Sequence, residues 1–334
     1  MAGVSLRPWL RWTVRLAGLL VFPLLVWLGV NIRASVDILR QADGTLVLVA
    51  VGLSVVGVLL RVWRWRTVGI ACELGYAKYR DYLRLYLTGL LAGAALPQVT
   101  AMFIPALFVS SEGGSWRRAT VSVILDRLLE AVLLISFAVW AAFYLFRPGP
   151  FVLIASLATV AAVCVGGGGA FALGYAQRRK LEGSHGLWRL PQLIFSFARF
   201  ELLGPTLNGL RQHLAALILA SLAILALQTA GAVSLAWALD LHVSLVSLIA
   251  TYGLVLLATS LPISMLGLGP REGVVVAVLT SLGVTPEEAL AFGLLLSAVA
   301  LATRLAGLVP LLWHWRTSRP AARLANEPTL IHSD

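Results

Sequence analysis

Charge is scarce in this chain. Only 12% of its 334 residues are charged, where an ordinary soluble domain carries roughly a quarter. That density does not cover a water-facing surface, so a soluble domain is excluded. Cysteine occurs twice, as Cys72 in a basic stretch and Cys164 in an apolar run. With no CxxC spacing, neither a disulfide framework nor a thiolate zinc site is expected. The five histidines, His185, His213, His242, His314 and His332, have no ligand spacing such as HExxH, which argues against a metal enzyme. No Ser–His–Asp or Cys–His arrangement stands out, no catalytic residue is assigned and no cofactor is expected. Gly267-x-Gly-x-x-x-Gly273 has the wrong spacing, and no preceding strand, for a dinucleotide site.

Apolar sequence is what the chain has in quantity: 59% of residues are hydrophobic. A helix needs about 20 apolar residues to cross a bilayer, whose interior offers no water to backbone groups. Full-length apolar segments run over Leu16–Val30, Thr45–Leu60, Val121–Phe146, Phe151–Tyr175, His213–Leu239 and Glu288–Trp313. The first follows Arg7, Arg11 and Arg15 and imitates a signal peptide. A poor cleavage site after it favours an uncleaved helix. Two more segments are broken by proline: Tyr82–Val109 at Pro97, with Pro105 beyond, and Leu245–Val284 at Pro262 and Pro270. Proline removes a helical hydrogen bond and clashes with the preceding turn, so both should kink or fold back.

The distribution of basic residues tests the fold-back. If both broken segments are re-entrant hairpins and the N-terminus is cytoplasmic, twenty of the 26 Lys and Arg fall on the cytoplasmic side. These are Arg7 to Arg15, the six from Arg61 to Arg84, Arg117, Arg118, the six from Arg178 to Arg211, and Arg316, Arg319 and Arg323. Only Arg33, Arg40 and Arg147 fall outside, as the positive-inside rule asks. The net charge of +11 is therefore a topology signal, and nucleic acid is not an expected partner. Leu187–Leu203, with Trp188, Phe195, Phe197 and Phe200, reads as an amphipathic helix on the cytoplasmic surface. Gly166–Gly169, inside an apolar segment, suits close helix packing or a kink.

An internal repeat runs through the broken segments. Leu-Leu-Ala-Gly-Ala-Ala-Leu-Pro ends at Pro97 and Leu-Leu-Ala-Thr-Ser-Leu-Pro at Pro262; eight residues later come Pro105 and Pro270. The topology makes the two hairpins oppositely oriented, a pointer to a transport site near the midplane. The expected fold is an all-α polytopic membrane protein of about six transmembrane helices and two opposed hairpins. Residues 1–315 would form a single domain, followed by a short cytoplasmic tail, 316–334.

Three arginines and three acids lie within or beside apolar sequence: Arg127, Arg271 and Arg304 with Asp126, Glu130 and Glu272. Charge at the centre of a bilayer costs about 2.5–3.5 kcal/mol per residue even on insertion scales, so such groups face inward and pair. Asp126, Arg127 and Glu130 share spacings that bring them near one helix face. Pro270 suits a first helical position. The helix N-terminus there, with Arg271 beside it, would favour an anion such as a phosphorylated headgroup. Equal numbers of each sign also fit purely structural pairing, so both readings stand.

Several motifs resemble the lysylphosphatidylglycerol synthase transmembrane-domain family. They are Leu-Leu-Arg-Val-Trp-Arg-Trp-Arg (59–66), Tyr-Leu-Thr-Gly-Leu-Leu-Ala-Gly-Ala-Ala-Leu-Pro (86–97), Val-Ile-Leu-Asp-Arg-Leu-Leu-Glu (123–130), Gly-Leu-Gly-Pro-Arg-Glu-Gly (267–273), Gly-Val-Thr-Pro-Glu-Glu-Ala (283–289) and Arg304. The resemblance implies a flippase-like module of the bacterial inner membrane that moves a phospholipid, aminoacyl lipid or polyprenyl-linked headgroup between leaflets. It also implies a lipid-synthesis enzyme as a partner. No transferase domain follows Trp315, so aminoacyl-lipid synthesis by this chain is not expected. Where the family carries a glycine-rich, charged stretch, this sequence has Gln-Val-Thr-Ala-Met-Phe-Ile-Pro (98–105), which leaves the first hairpin without a charged headgroup contact. Two rivals stay open: a membrane transferase acting on a lipid carrier, with Asp126 or Glu272 as its base, and a non-transporting scaffold for lipid-synthesis enzymes such as those of hopanoids.

Overall fold

The computed structural model describes residues 30–75, 78–95, 103–111, 115–146, 209–260 and 268–308, with Pro23 and Ala101. Among these residues all regular structure is helical and there is no strand. The helices are α1 (Ile32–Arg40), α2 (Gly44–Ala71), α3 (Tyr79–Ala95), α4 (Ile104–Ser111), α5 (Trp116–Phe146), α6 (Leu214–Ala238), α7 (Leu245–Ser260), α8 (Pro270–Ser281) and α9 (Pro286–Leu305). The expected segments at 16–29 and 151–175, the surface helix at 187–203, Gly166–Gly169, Pro97, Pro262 and the tail 316–334 lie outside the described residues.

Local chemistry starts these helices. The Asp43 carboxylate accepts the Thr45 N–H at 2.8 Å ahead of α2, and Asn31 caps α1. Thr285 and Glu288 reach back to each other's backbone across Pro286, the first residue of α9, a capping box that satisfies two end donors. Pro270 opens α8, where its missing N–H costs nothing. Gly269 before it has φ +93°, a conformation that disfavours any residue with a Cβ.

Length then divides the helices into two classes. α2, α5, α6 and α9 hold 28, 31, 25 and 20 residues and are long and apolar enough to cross a membrane. At 1.5 Å per residue, α4 and α8 reach only about 12 and 18 Å, short of the roughly 30 Å hydrocarbon core. The outer faces are apolar: Leu48 is 72% exposed and Leu219 66%, while Ser122, Thr251 and Glu272 are buried at the centre. Water would penalise that inversion, and lipid accommodates it. The protein is an integral membrane protein.

α2 and α6 form the middle of the bundle and run antiparallel. The Asp43 N–H donates to the Ala238 carbonyl at 2.9 Å, and the Arg64 guanidinium reaches Ser221 Oγ at 3.0 Å. A Cβ at Gly231 would sit 3.7 Å from the Ala50 carbonyl oxygen, and one at Gly209 3.6 Å from the Ala71 Cβ. As the number rises along α2 it falls along α6. Around this pair several contacts are reciprocal: α5 packs on α7 and α9 on α3, α4 on α5 and α8 on α9, α3 on α4 and α7 on α8, while α9 also packs on α1 without a counterpart among the described residues. One apolar core joins Ala50, Ala232, Val275, Leu279, Leu290 and Phe292. The other joins Val62, Trp65, Tyr82, Leu85, Val109 and Leu217.

α4 packs against α3. A Cβ on Gly89 would come 2.8 Å from the Pro105 ring, so glycine is what admits the proline there. One expectation is corrected. The apolar segment expected to end at Leu60 continues as helix to Ala71, and Arg61 and Arg64 pack inside the bundle against carboxylates of α5. Their charge is answered by acids on α5, so the run of arginines does not end the helix. Cys72 is buried at the end of α2.

Two disulfides test this packing. With Cys72 and Cys164 replaced by alanine, Ala71→Cys with Gly209→Cys and Gly93→Cys with Ala101→Cys should each close on mild oxidation. Both pairs place the Cβ atoms 3.6 Å apart, within the range disulfides use. Peptide mass spectrometry reads the crosslinks. A parallel α2–α6 pair would leave the first unformed, and separated α3 and α4 the second.

Candidate functional site

The first group of charges is assembled by α2 and α5. Asp126 and Glu130 lie one turn apart on α5, and α2 delivers Arg64 between them. Arg64 Nε donates to Asp126 Oδ1 at 2.7 Å and Nη2 to Oδ2 at 3.1 Å, a two-pronged guanidinium–carboxylate pair. Its Nη2 also reaches Glu130 Oε2 at 3.3 Å. Arg64 and Asp126 are closed off, with side chains 1% and 3% exposed. Arg127 donates to Glu130 Oε2 at 2.6 Å, and Arg61 Nε stands 3.7 Å from Glu130 Oε1. This outer part is more open, with Arg127 32% exposed. The Arg127 Nε, though buried, has no hydrogen-bond partner, and the Tyr86 hydroxyl on α3 faces the same guanidinium.

The second group sits where α8 meets α9. Glu272 is fully buried. Its Oε2 accepts the Gly269 N–H at 2.7 Å and its Oε1 accepts the Ser297 hydroxyl at 2.5 Å. Arg271 Nη1 donates to the same Ser297 oxygen at 2.9 Å. Serine therefore separates arginine from carboxylate, giving and receiving one hydrogen bond. The N-terminus of α8, expected to favour a headgroup anion, already holds the Glu272 carboxylate.

Arg304 completes this group from the last turn of α9. Among the described residues no carboxylate pairs with it; its Nη1 donates to the Gly93 carbonyl of α3 at 3.2 Å. In a continuing helix that carbonyl would accept the N–H of residue 97. Residue 97 is proline and has no N–H to give. Arg304 thus supplies a donor to a carbonyl in the last turn of α3, where intrahelical partners run out. Beside it lies a cleft of about 190 Å³ lined by Leu268, Ser297, Ala298, Leu301 and Arg304. The space is smaller than the roughly 300–1,000 Å³ of whole-ligand sites, and its lining is almost wholly apolar. Tyr252 on α7 lies within electrostatic reach of both Arg271 and Arg61 and so stands between the groups.

All six charged residues singled out in the sequence thus fall into two groups. Asp126 and Glu130 meet Arg127, and Arg271 and Glu272 share Ser297, which lines the cleft with Arg304. Of the proline breaks, Pro105 is the second residue of α4 and Pro270 the first of α8. The expected balance of three acids and three arginines is corrected. Arg61 and Arg64 join, so five arginines face three carboxylates among the described residues, and each group carries one cation in excess. Arg61, Arg64, Ser221, Ser297 and Tyr252 were not singled out in the sequence. A signal existed for one of them: Asp126 and Glu130 carry two charges against the one of Arg127, and a buried deficit of that kind requires a cation from another helix.

Asp126→Asn should therefore destabilise the protein by about 3–5 kcal/mol, because it strands a buried Arg64. Asp126→Leu combined with Arg64→Leu should cost much less. Thermal unfolding in one mild detergent compares them; a single variant no worse than the double would show that the pair is not closed to water.

Over residues 15–307 the chain matches the family described as Lysylphosphatidylglycerol synthase TM region. No curated protein and no solved structure matches it. The matched span takes in every helix and both charged groups, and the chain belongs to the lysylphosphatidylglycerol synthase transmembrane-region family.

Proposed function

We propose that the protein moves a lipid with an anionic headgroup between the leaflets of a bacterial inner membrane, with both termini cytoplasmic and residues 1–315 acting as one domain. In this reading α3–α4 and α7–α8 are re-entrant hairpins, and α2–α5 and α6–α9 are two copies of one unit in opposite orientation. The antiparallel α2–α6 pair and the reciprocal contacts around it support that arrangement. So does the shortness of α4 and α8, which cannot cross the hydrocarbon alone.

One observation carries the functional reading: among the described residues the two groups hold two more arginines than carboxylates. A protein that only paired its charges for stability would leave none in excess, since an unanswered cation is costly in this surrounding. A phosphate-bearing headgroup answers it. Arg127, whose side chain is part-exposed, and Arg271 and Arg304 would contact the headgroup. Asp126, Glu130 and Glu272 would set the positions of those arginines, and acyl chains would stay in lipid. The transferase rival requires a carboxylate within hydrogen-bond reach of a substrate proton. Asp126 and Glu272 are instead buried and held by Arg64, Ser297 and Gly269.

The test is transport by purified protein in vesicles carrying a trace of fluorescent phosphatidylglycerol, read by how fast dithionite quenches the inner-leaflet label. The wild type should expose it, and Arg271→Gln should slow exposure about ten-fold or more with thermal stability retained. Equal rates in the two proteins would remove Arg271 from the site, and a covalently altered lipid product would favour a transferase.

A further inference from the structure

Ser297 uses its hydroxyl differently from other hydroxyls in the middle of these helices. Ser136, Ser221, Thr229 and Thr303 each donate to the carbonyl four residues back in their own helix, a common outlet for a hydroxyl in apolar surroundings. Ser297 donates instead to the Glu272 carboxylate of α8 and accepts from Arg271 Nη1 at 2.9 Å. α9 comes close enough for this at Gly293, one turn before Ser297, where a Cβ would lie 3.3 Å from Glu272 Cα.

The arginine and the carboxylate are neighbours in sequence and opposite in charge, yet a hydroxyl stands between them. A direct contact would be stronger, since hydrogen bonds between charged groups are roughly twice as strong as neutral ones. Two bonds hold the carboxylate away. Glu272 Oε2 accepts the Gly269 N–H at 2.7 Å, which turns the side chain back to the start of α8, and Oε1 is taken by Ser297. Arg271 is left with a neutral acceptor. It is also the more open of the two, 9% exposed where Glu272 is 0%. An anion that arrives at Arg271 therefore competes with a serine oxygen and not with a carboxylate. Glu272 keeps both of its donors when the arginine turns away.

We infer that Ser297 is a positioning residue for the anionic headgroup: it holds Arg271 apart from Glu272, so that the guanidinium stays open to a phosphate group. The inference rests on the headgroup reading above and names the residue that protects its arginine from the adjacent acid. Removing the hydroxyl takes a donor from Glu272 and an acceptor from Arg271, and the flexible arginine then closes on the carboxylate. The closed pair answers both charges, and a headgroup has to displace a carboxylate to bind. Affinity falls while stability is kept. A serine that only fastened α8 to α9 would do the reverse.

Three variants separate the two roles. Ser297→Ala removes the hydroxyl. Ser297→Thr keeps it, and Ser297 is half-buried at the edge of a cleft that has room for one more methyl. Ser297→Ala with Glu272→Gln removes the hydroxyl together with the charge that captures Arg271, and glutamine can still accept the Gly269 N–H. The full-length protein in detergent is titrated with dioctanoyl phosphatidylglycerol, with dioctanoyl phosphatidylcholine as the zwitterionic control and inorganic phosphate as a lipid-free anion. Calorimetry reads affinity, and thermal unfolding is followed in parallel. Wild type and Ser297→Thr should bind phosphatidylglycerol at least about ten-fold more tightly than phosphatidylcholine. Ser297→Ala should bind it about ten-fold more weakly than wild type, with an unchanged unfolding midpoint. The double variant should recover most of the lost affinity.

Unchanged affinity in Ser297→Ala, or a double variant as weak as the single, overturns the positioning role. So does a Ser297→Ala protein that loses stability and regains no affinity in the double variant. In each of these cases a weakened Arg271→Gln leaves the headgroup reading standing. Unchanged affinity in Arg271→Gln, or equal affinity of the wild type for the two lipids, overturns both. A loss confined to inorganic phosphate, with no preference between the lipids, keeps the role of Ser297 and overturns the lipid reading.

Discussion

A guanidinium in the hydrocarbon of a bilayer has to find its partners within the protein, and this requirement organises most of what surrounds α2 and α5. Arg64 has Asp126, Glu130 and Ser221 as its partners, and those three residues come from two other helices. Fixing one side chain therefore fixes the rotation of α2, α5 and α6 about their own axes. The apolar residues of the bundle cannot do this. Lipid tails are as apolar as leucine, so burying leucine between membrane helices does not select one orientation. Selection comes from the polar contacts and from the small residues, Ala50 against Gly231 and Ala71 against Gly209, that let the backbones approach.

The same requirement explains the form of the second group. Glu272 sits at the start of a helix too short to cross the membrane, where exposed backbone donors and the helix dipole stabilise its negative charge. The carboxylate completes the turn begun by Gly269 and Pro270 and, through Ser297, ties that turn to α9. A broken helix in lipid otherwise leaves backbone groups unmet. Here acids and arginines stand in for the missing backbone partners, Glu272 at the start of α8 and Arg304 near the end of α3.

Much of this was legible in the sequence, and the rest was hidden for identifiable reasons. The multi-pass helical class followed from apolar length alone. Pro270 as a helix start is a local signal, and local signals survive folding. Arg64 was hidden because hydropathy treats an arginine as the end of a span, whereas α2 runs on to Ala71. Asp126 and Glu130, distant in sequence, make that continuation tolerable. The contact of Arg304 with Gly93 was hidden for a different reason. It joins the last described helix to the first proline break, and no spacing rule links positions so far apart. Ser297 gave no signal at all, since a lone serine in an apolar helix more often bonds its own backbone, as Ser221 also does toward Leu217.

The unequal lengths of the crossing helices carry a consequence for the membrane itself. α5, with 31 residues, extends about 46 Å, while α9, with 20, extends about 30 Å. A single slab of hydrocarbon cannot match both, so the longer helix must tilt or protrude where the shorter fits upright. α5 carries Asp126, Arg127 and Glu130, whereas α9 carries Ser297 and Arg304. A thicker or thinner bilayer therefore acts on the two charged groups unequally, changing the slope of one while leaving the other in register. Bilayer thickness is in this way a variable to which the arrangement of arginines responds, independently of any ligand.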